Sequence, residues 1–167
     1  MDKKSIIIYF SRADENYAVG NIEKGNTEVI AEFIKDITGA DIFKVEPAIP
    51  YAKDYDTCIE EAKERQRTNN APIKEEIPNI STYDIIYIGA PIYWSCLPEE
   101  MVTALNNLDF NNKEVRLFTT HEGSGLGSIP NQLSRICVGA TLSQGLAIQG
   151  SKVNNSKSIV EDLINKM

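Results

Sequence analysis

The feature that most limits what this chain can become is a regular alternation of short apolar runs with helical periods. Residues 6–10, Ile-Ile-Ile-Tyr-Phe, form a near-continuous β-branched and aromatic run, too short for a membrane span, and read as a buried strand. The chain breaks at Ser11-Arg12 and passes through a polar stretch over residues 13–24. It then resumes at Gly25-Asn26-Thr27, where a helix begins with Val29, Ile30, Phe33, Ile34 and Ile37 on one face. Thr38-Gly39 is its stop signal. A second strand is expected over 41–45, and Pro47 and Pro50 interrupt regular structure behind it. Residues 54–68 read as a charged surface helix with Cys58, Ile59 and Ala62 as a thin contact stripe.

The pattern continues after the loop over 69–78. Residues 83–89 make a strand buried on both faces, followed by a proline-bounded loop and a helix presenting Met101, Val102, Leu105 and Leu108. Residues 115–120 form another strand, with a glycine-rich loop behind it and a helix marked by Ile129, Leu133 and Ile136. A last strand over 141–148, broken by Gly145, leads to a final helix carrying Ile159, Val160, Leu163 and Ile164. Alternation of this kind requires parallel crossovers and a sheet covered by helices on both faces. Right-handed crossovers wind outwards from a central first strand, and ligands bind beyond the carboxyl ends of the strands, at the switch point. The loops 11–27, 90–97 and 120–127 all follow strands and are expected to converge there.

Composition narrows the function classes. The 167 residues fit one domain spanning 1–167, with 42% apolar and 25% charged residues as in globular chains. A formal charge of −7 argues against a nucleic-acid surface. Cys58, Cys96 and Cys137 lack metal spacing, and their odd number argues against a disulfide framework. Met1-Asp2-Lys3-Lys4 precedes an apolar run that ends at Phe10 without a cleavage pattern, so a cytoplasmic protein without a membrane segment is expected.

The three loops differ in chemistry. The first joins a strand to a helix N-terminus, whose free N–H groups and dipole favour an anion. Ser11 and Thr27 offer hydroxyls, Asn26 an amide, Gly25 an open backbone and Arg12 a positive charge. The second supplies Tyr93 and Trp94, flat apolar faces suited to a planar heteroaromatic ring. The third is small enough for backbone to approach a ring edge. Phosphate with a planar ring describes a nucleotide or a flavin. Plain helix capping, core packing of the aromatics and simple turn chemistry account for the same residues one at a time.

The chain resembles the flavodoxin family over essentially its whole length. Tyr9-Phe10-Ser11-Arg12, Gly25-Asn26-Thr27, residues 89–94 (Gly-Ala-Pro-Ile-Tyr-Trp) and Phe118-Thr119-Thr120 with Gly123-Ser124-Gly125 carry the likeness. An insertion over 13–24 splits the family's phosphate loop into two halves. The resemblance implies a doubly wound five-stranded parallel sheet of order 2-1-3-4-5 in a three-layer sandwich, binding FMN non-covalently. On the matched positions Ser11, Asn26 and Thr27 hold phosphate, with Arg12 and Gly25 beside them. Pro91, Ile92, Tyr93 and Trp94 line one side of the isoalloxazine, and Thr120, Glu122, Gly123, Ser124 and Gly125 the other edge.

Such a site needs no catalytic acid, base or metal from the protein. The implied role is an electron carrier, monomeric or weakly dimeric, that docks transiently on redox partner proteins. An NAD(P)H-dependent quinone or FMN oxidoreductase on the same fold is the alternative. A phospho-receiver is the third class, and Ser11-Arg12 after the first strand, in place of clustered carboxylates, speaks against it.

Overall fold

The computed structural model describes residues 3–167, so Met1 and Asp2 lie outside the described residues. Its main sheet is parallel throughout. The strands lie in the order β4 (Asp41–Lys44), β1 (Ser5–Tyr9), β5 (Ile85–Pro91) and β6 (Glu114–His121), with β7 (Thr141–Leu142) and β8 (Leu146–Gln149) sharing the far edge. By position this is the expected order with the first strand central, and the fifth position is held by two short strands. β7 pairs with Glu114 and Val115, and β8 with residues 118–121. Between them Ser143 N–H donates to Val115 O, and a Cβ on Gly145 would stand 2.9 Å from both terminal methyls of Leu126. The expected break at Gly145 is therefore present, between β7 and β8.

Period-two alternation sends each strand's side chains to opposite faces. Ile6, Ile8, Ile86, Ile88 and Leu117 pack against α3 (Glu99–Leu105) and α4 (Ile129–Ile136) through Met101, Leu105, Ile129 and Leu133. Ile7, Tyr9, Tyr87 and Phe118 face α1 (Asn26–Thr38) and α5 (Lys157–Asn165), where Ile30, Ile34, Val160 and Ile164 meet them. Gly89 lies in the middle of β5 because a Cβ there would collide with the buried ring of Phe118 on the neighbouring strand. α1 ends as the sequence indicates, with Gly39 at φ +72° donating its N–H to Lys35 O.

α2 (Tyr55–Thr68) is held differently. Its start is fixed by Asp54, whose carboxylate accepts from Thr57 N–H at 2.9 Å. Cys58 and Ala62 are buried, but the helix is fastened to the body mainly by polar side chains. Arg65 Nη1 reaches Glu100 Oε1 at 2.7 Å, Gln66 Nε2 donates to Tyr93 O at 2.6 Å, and the Glu100 carboxylate also accepts from Tyr51 Oη at 2.9 Å. Glu100 is wholly buried, so the pair replaces its lost hydration. Two elements have no counterpart in the sequence reading. Residues 13–24 contain an antiparallel hairpin, β2 (Asp14–Asn16) with β3 (Gly20–Ile22), and a 3-10 turn, Gly150–Asn155, precedes α5.

All three cysteines are free, and no helix among the described residues is long and apolar enough to cross a membrane. Burial pushes the Cys137 thiol up to about 12 from an ordinary 9.0. The folded value is the higher one, so the unfolded chain loses its proton first as pH rises. Stability from this group is therefore intact below pH 9 and falls as pH climbs towards 12. The slope is at most about 1.4 kcal/mol per pH unit. Urea unfolding through that window should show a steeper alkaline decline in the wild type than in Cys137→Ala. Parallel declines would assign the loss to other groups.

Candidate functional site

Parallel strands end with their carboxyl edges on one side, so the loops after β1, β5 and β6 share a rim. A cavity of about 370 Å³ opens there, and all three loops contribute to it.

The first loop is built around the start of α1. Gly25 takes the N-cap position with no side chain to cap, and Ser11 does that work from just beyond β1, its Oγ accepting from Glu28 N–H at 3.0 Å. A Cβ on Gly25 would stand 2.7 Å from Arg12 O and collide with Ser11 Oγ, so glycine is what lets the two halves of the loop close. Val29 N–H returns to Gly25 O, which leaves the N–H groups of Asn26 and Thr27 among those a helix cannot satisfy internally. Asn26 and Thr27 both line the cavity. The Thr27 hydroxyl is buried and paired with Thr120 Oγ1 at 2.8 Å, which ties α1 to the end of β6.

Arg12 is the one arginine or lysine among the described residues that lines the cavity, yet its guanidinium is turned to carbonyl groups. Nη1 donates to Glu15 O, and Nη2 to Ala52 O at 2.8 Å and Lys53 O at 2.7 Å. The structure therefore gives it a bracing role at the base of the hairpin, where the sequence had suggested a charge for an anion. The donor set left at the α1 terminus is neutral, made of main-chain N–H groups, the Asn26 amide and the helix dipole.

The second loop turns sharply. Tyr93 and Cys96 exchange both main-chain hydrogen bonds, with Trp94 at φ +49° and Ser95 at φ +69° between them. Both central residues are left-handed, a primed turn made without glycine. Gly127 lets the third loop press against it, since a Cβ there would stand 2.6 Å from Ser95 O. Pro91, Ile92, Tyr93 and Trp94 all line the cavity. The Trp94 indole is 47% exposed, donates Nε1–H to Ile59 O at 2.7 Å and has Lys63 Nζ 5.1 Å from its ring centre. Tyr93 stands edge-on to Phe10 and Tyr51, at 5.7 and 5.8 Å, and its hydroxyl is buried with no hydrogen-bond partner. Burial therefore pushes that phenol well above its ordinary range.

In the third loop Thr120, Glu122 and Ser124 line the cavity. Gly123 and Gly125 shape it instead: Gly123 N–H donates to His121 Nδ1 at 2.9 Å, and Gly125 O accepts from Thr119 Oγ1 at 2.8 Å. The Glu122 carboxylate accepts from Ser151 N–H at 2.5 Å and Gln149 Nε2 at 3.0 Å, which joins this loop to the end of β8. A Cβ on Gly150 would lie 2.5 Å from Asn26 Nδ2 and 2.9 Å from Glu122 Oε1, so a bare backbone is needed where the three segments meet.

Sequence reasoning missed a fourth wall. Tyr55, Cys58, Ile59 and Ala62, at helical spacing along α2, line the cavity together with Asn16 and Tyr17 of the hairpin. The thin apolar stripe of that helix was the available signal, and only the fold shows that it faces a cavity. The arrangement offers main-chain donors at one end and an apolar, aromatic slot at the other.

The family model described as Flavodoxin matches residues 17–167, so β1, Ser11 and Arg12 precede the matched segment. No curated protein matches the chain. Among solved structures, a proposed flavoprotein from Bacteroides uniformis is 20% identical with a TM-score of 0.78, over 99% of either chain. One from Bacteroides eggerthii is 23% identical with a TM-score of 0.72, over 95% of this chain and 98% of its own. A flavoprotein from Lactobacillus acidophilus, solved in complex with FMN, is 20% identical with a TM-score of 0.66, over 92% of this chain and 98% of its own. At these identities the structural likeness speaks for the fold.

Proposed function

We propose, starting from the fact that this chain belongs to the flavodoxin family, that it binds FMN non-covalently and passes electrons between a reductase and acceptor proteins. The observation that carries this reading is the polarity of the cavity, with free helix N–H groups at Asn26 and Thr27 and an apolar slot under Trp94 and α2. The residues present fit the group. A phosphate monoester suits a helix N-terminus with neutral donors, such as the one that Asn26 and Thr27 bring to the cavity. The volume of about 370 Å³ lies within the range of single small-ligand sites. Ile92, Tyr93, Trp94 and Ile59 would hold the isoalloxazine, while Thr120, Glu122 and Ser124 face its edge.

When bound, FMN supplies the electron-carrying chemistry, and the protein supplies position and surroundings. Apolar walls exclude water from the ring, and the exposed face of Trp94 keeps the cavity mouth accessible to a docking partner. The net charge of −7 favours a partner with a basic docking patch.

A second reading, an NAD(P)H-dependent quinone or FMN oxidoreductase, draws on His121. It lines the cavity, and because its Nδ1 accepts from Gly123, the neutral ring presents its proton on Nε2. One experiment separates the two. The protein is saturated with FMN, the visible bands are recorded, and NADPH is added without air. Bands that form and persist until a separate reductase is supplied are the expected result. Rapid bleaching would establish the oxidoreductase, and the absence of any bound flavin would overturn both readings.

A further inference from the structure

We infer that the inserted hairpin is a fixed wall of the flavin site, and that Tyr17 and Tyr55 are ring-contact residues on the side facing Trp94. The inference rests on the FMN reading above and assigns a task to the segment that splits the phosphate loop.

The hairpin is tied down at its base. Arg12 binds the carbonyls of Glu15, Ala52 and Lys53, drawing the start of the hairpin onto the segment that leads into α2. Glu15 adds two bonds to the same segment: its N–H donates to Lys53 O at 3.3 Å, and its carboxylate accepts from Tyr55 N–H at 2.6 Å. Asn16 Nδ2 closes the turn on Arg12 O at 3.0 Å. The hairpin and the start of α2 thus position each other. The product of that bracing is an aromatic pair, Tyr17 and Tyr55, with ring centres 5.9 Å apart and planes at 37°. Both line the cavity, and Tyr17 is 63% exposed, a large apolar surface that the protein alone leaves uncovered.

Two occupants fit an aromatic wall here, the flavin itself or a second planar molecule lying on it. The cavity of about 370 Å³ is near the small end for one drug-sized ligand, so the ring that enters it meets the tyrosines directly. Tyr93 and Trp94 would hold the opposite face of the ring and leave this one open. Tyr93 is committed edge-on to Phe10 and Tyr51, and the Trp94 indole is anchored to Ile59 O. An aromatic contact of this type contributes beyond its buried area and is lost on truncation.

The test is FMN titration of the apoprotein, followed by flavin fluorescence and visible absorption, with apoprotein melting as a control for folding. Tyr17→Ala should weaken FMN binding about five- to tenfold and raise the fluorescence of bound flavin, with apoprotein melting unchanged. Tyr17→Phe should restore both. Arg12→Gln, which frees the hairpin without removing an aromatic ring, should weaken binding by a similar factor. Wild-type affinity and quenching in Tyr17→Ala and Arg12→Gln would overturn the inference and leave the FMN reading standing. Failure of the wild type itself to bind FMN would overturn both.

Discussion

Replacing Glu100 by alanine is expected to lower the unfolding free energy by about 3–5 kcal/mol, the usual cost of breaking a buried ion pair from one side. Glu100 is wholly buried, and the Arg65 side chain opposite is only 13% exposed. Removal of the carboxylate leaves that guanidinium, stacked 3.8 Å above the Tyr51 ring, without its bonded counter-charge in a partly dry site. It also removes the acceptor of the Tyr51 hydroxyl, a phenol that burial and then the Glu100 charge both push above its ordinary range. Because this network fastens α2, amide exchange should rise there more than in β1 or β5. Chemical denaturation with residue-resolved hydrogen exchange measures both. A loss below about 1 kcal/mol, the level of an exposed pair, would show that solvent reaches the network.

The second large effect concerns the α1 terminus. Asn26→Ala combined with Thr27→Ala should weaken FMN binding by a few kcal/mol, at about 1.5–3 kcal/mol for each hydrogen bond to a charged group. Thr27 also carries the buried bond to Thr120, so the apoprotein should lose some stability of its own. Calorimetric titration at a temperature where the double variant remains folded separates the two losses. Unchanged affinity would show that neither side chain holds the phosphate and would leave that task to the main-chain N–H groups alone.

The main sheet was legible because its strands are continuous apolar runs and its helices carry clear stripes. Residues 6–10 and 83–89 leave little else for a chain of this length to do with them. The convergence of three loops followed from topology alone. What the sequence hid has two causes. The hairpin over 14–22 is polar and short, with Asp14 and Ala18 at positive φ, and it is held by hydrogen bonds from Arg12 that no periodicity announces. The wall built by α2 escaped because an apolar stripe of Cys58, Ile59 and Ala62 looks the same whether it faces a core or a cavity. Residue chemistry was also easier to read than residue use. Ser11, Arg12 and Glu122 carry the right groups for a ligand, but their polar atoms are bonded to α1, the 52–53 segment and the end of β8.

The way α2 is attached bears on how a cofactor would come and go. This helix forms one side of the cavity, yet it adds no side chain to the two apolar clusters that weld the rest of the molecule together. An element clamped by a few polar bonds can detach locally at a fraction of the cost of global unfolding. Local detachment of α2 would open the cavity from that side, with the sheet left closed behind it. A ligand that fills the slot stabilises only the shut form, so the latch around Glu100 would set residence time as well as stability.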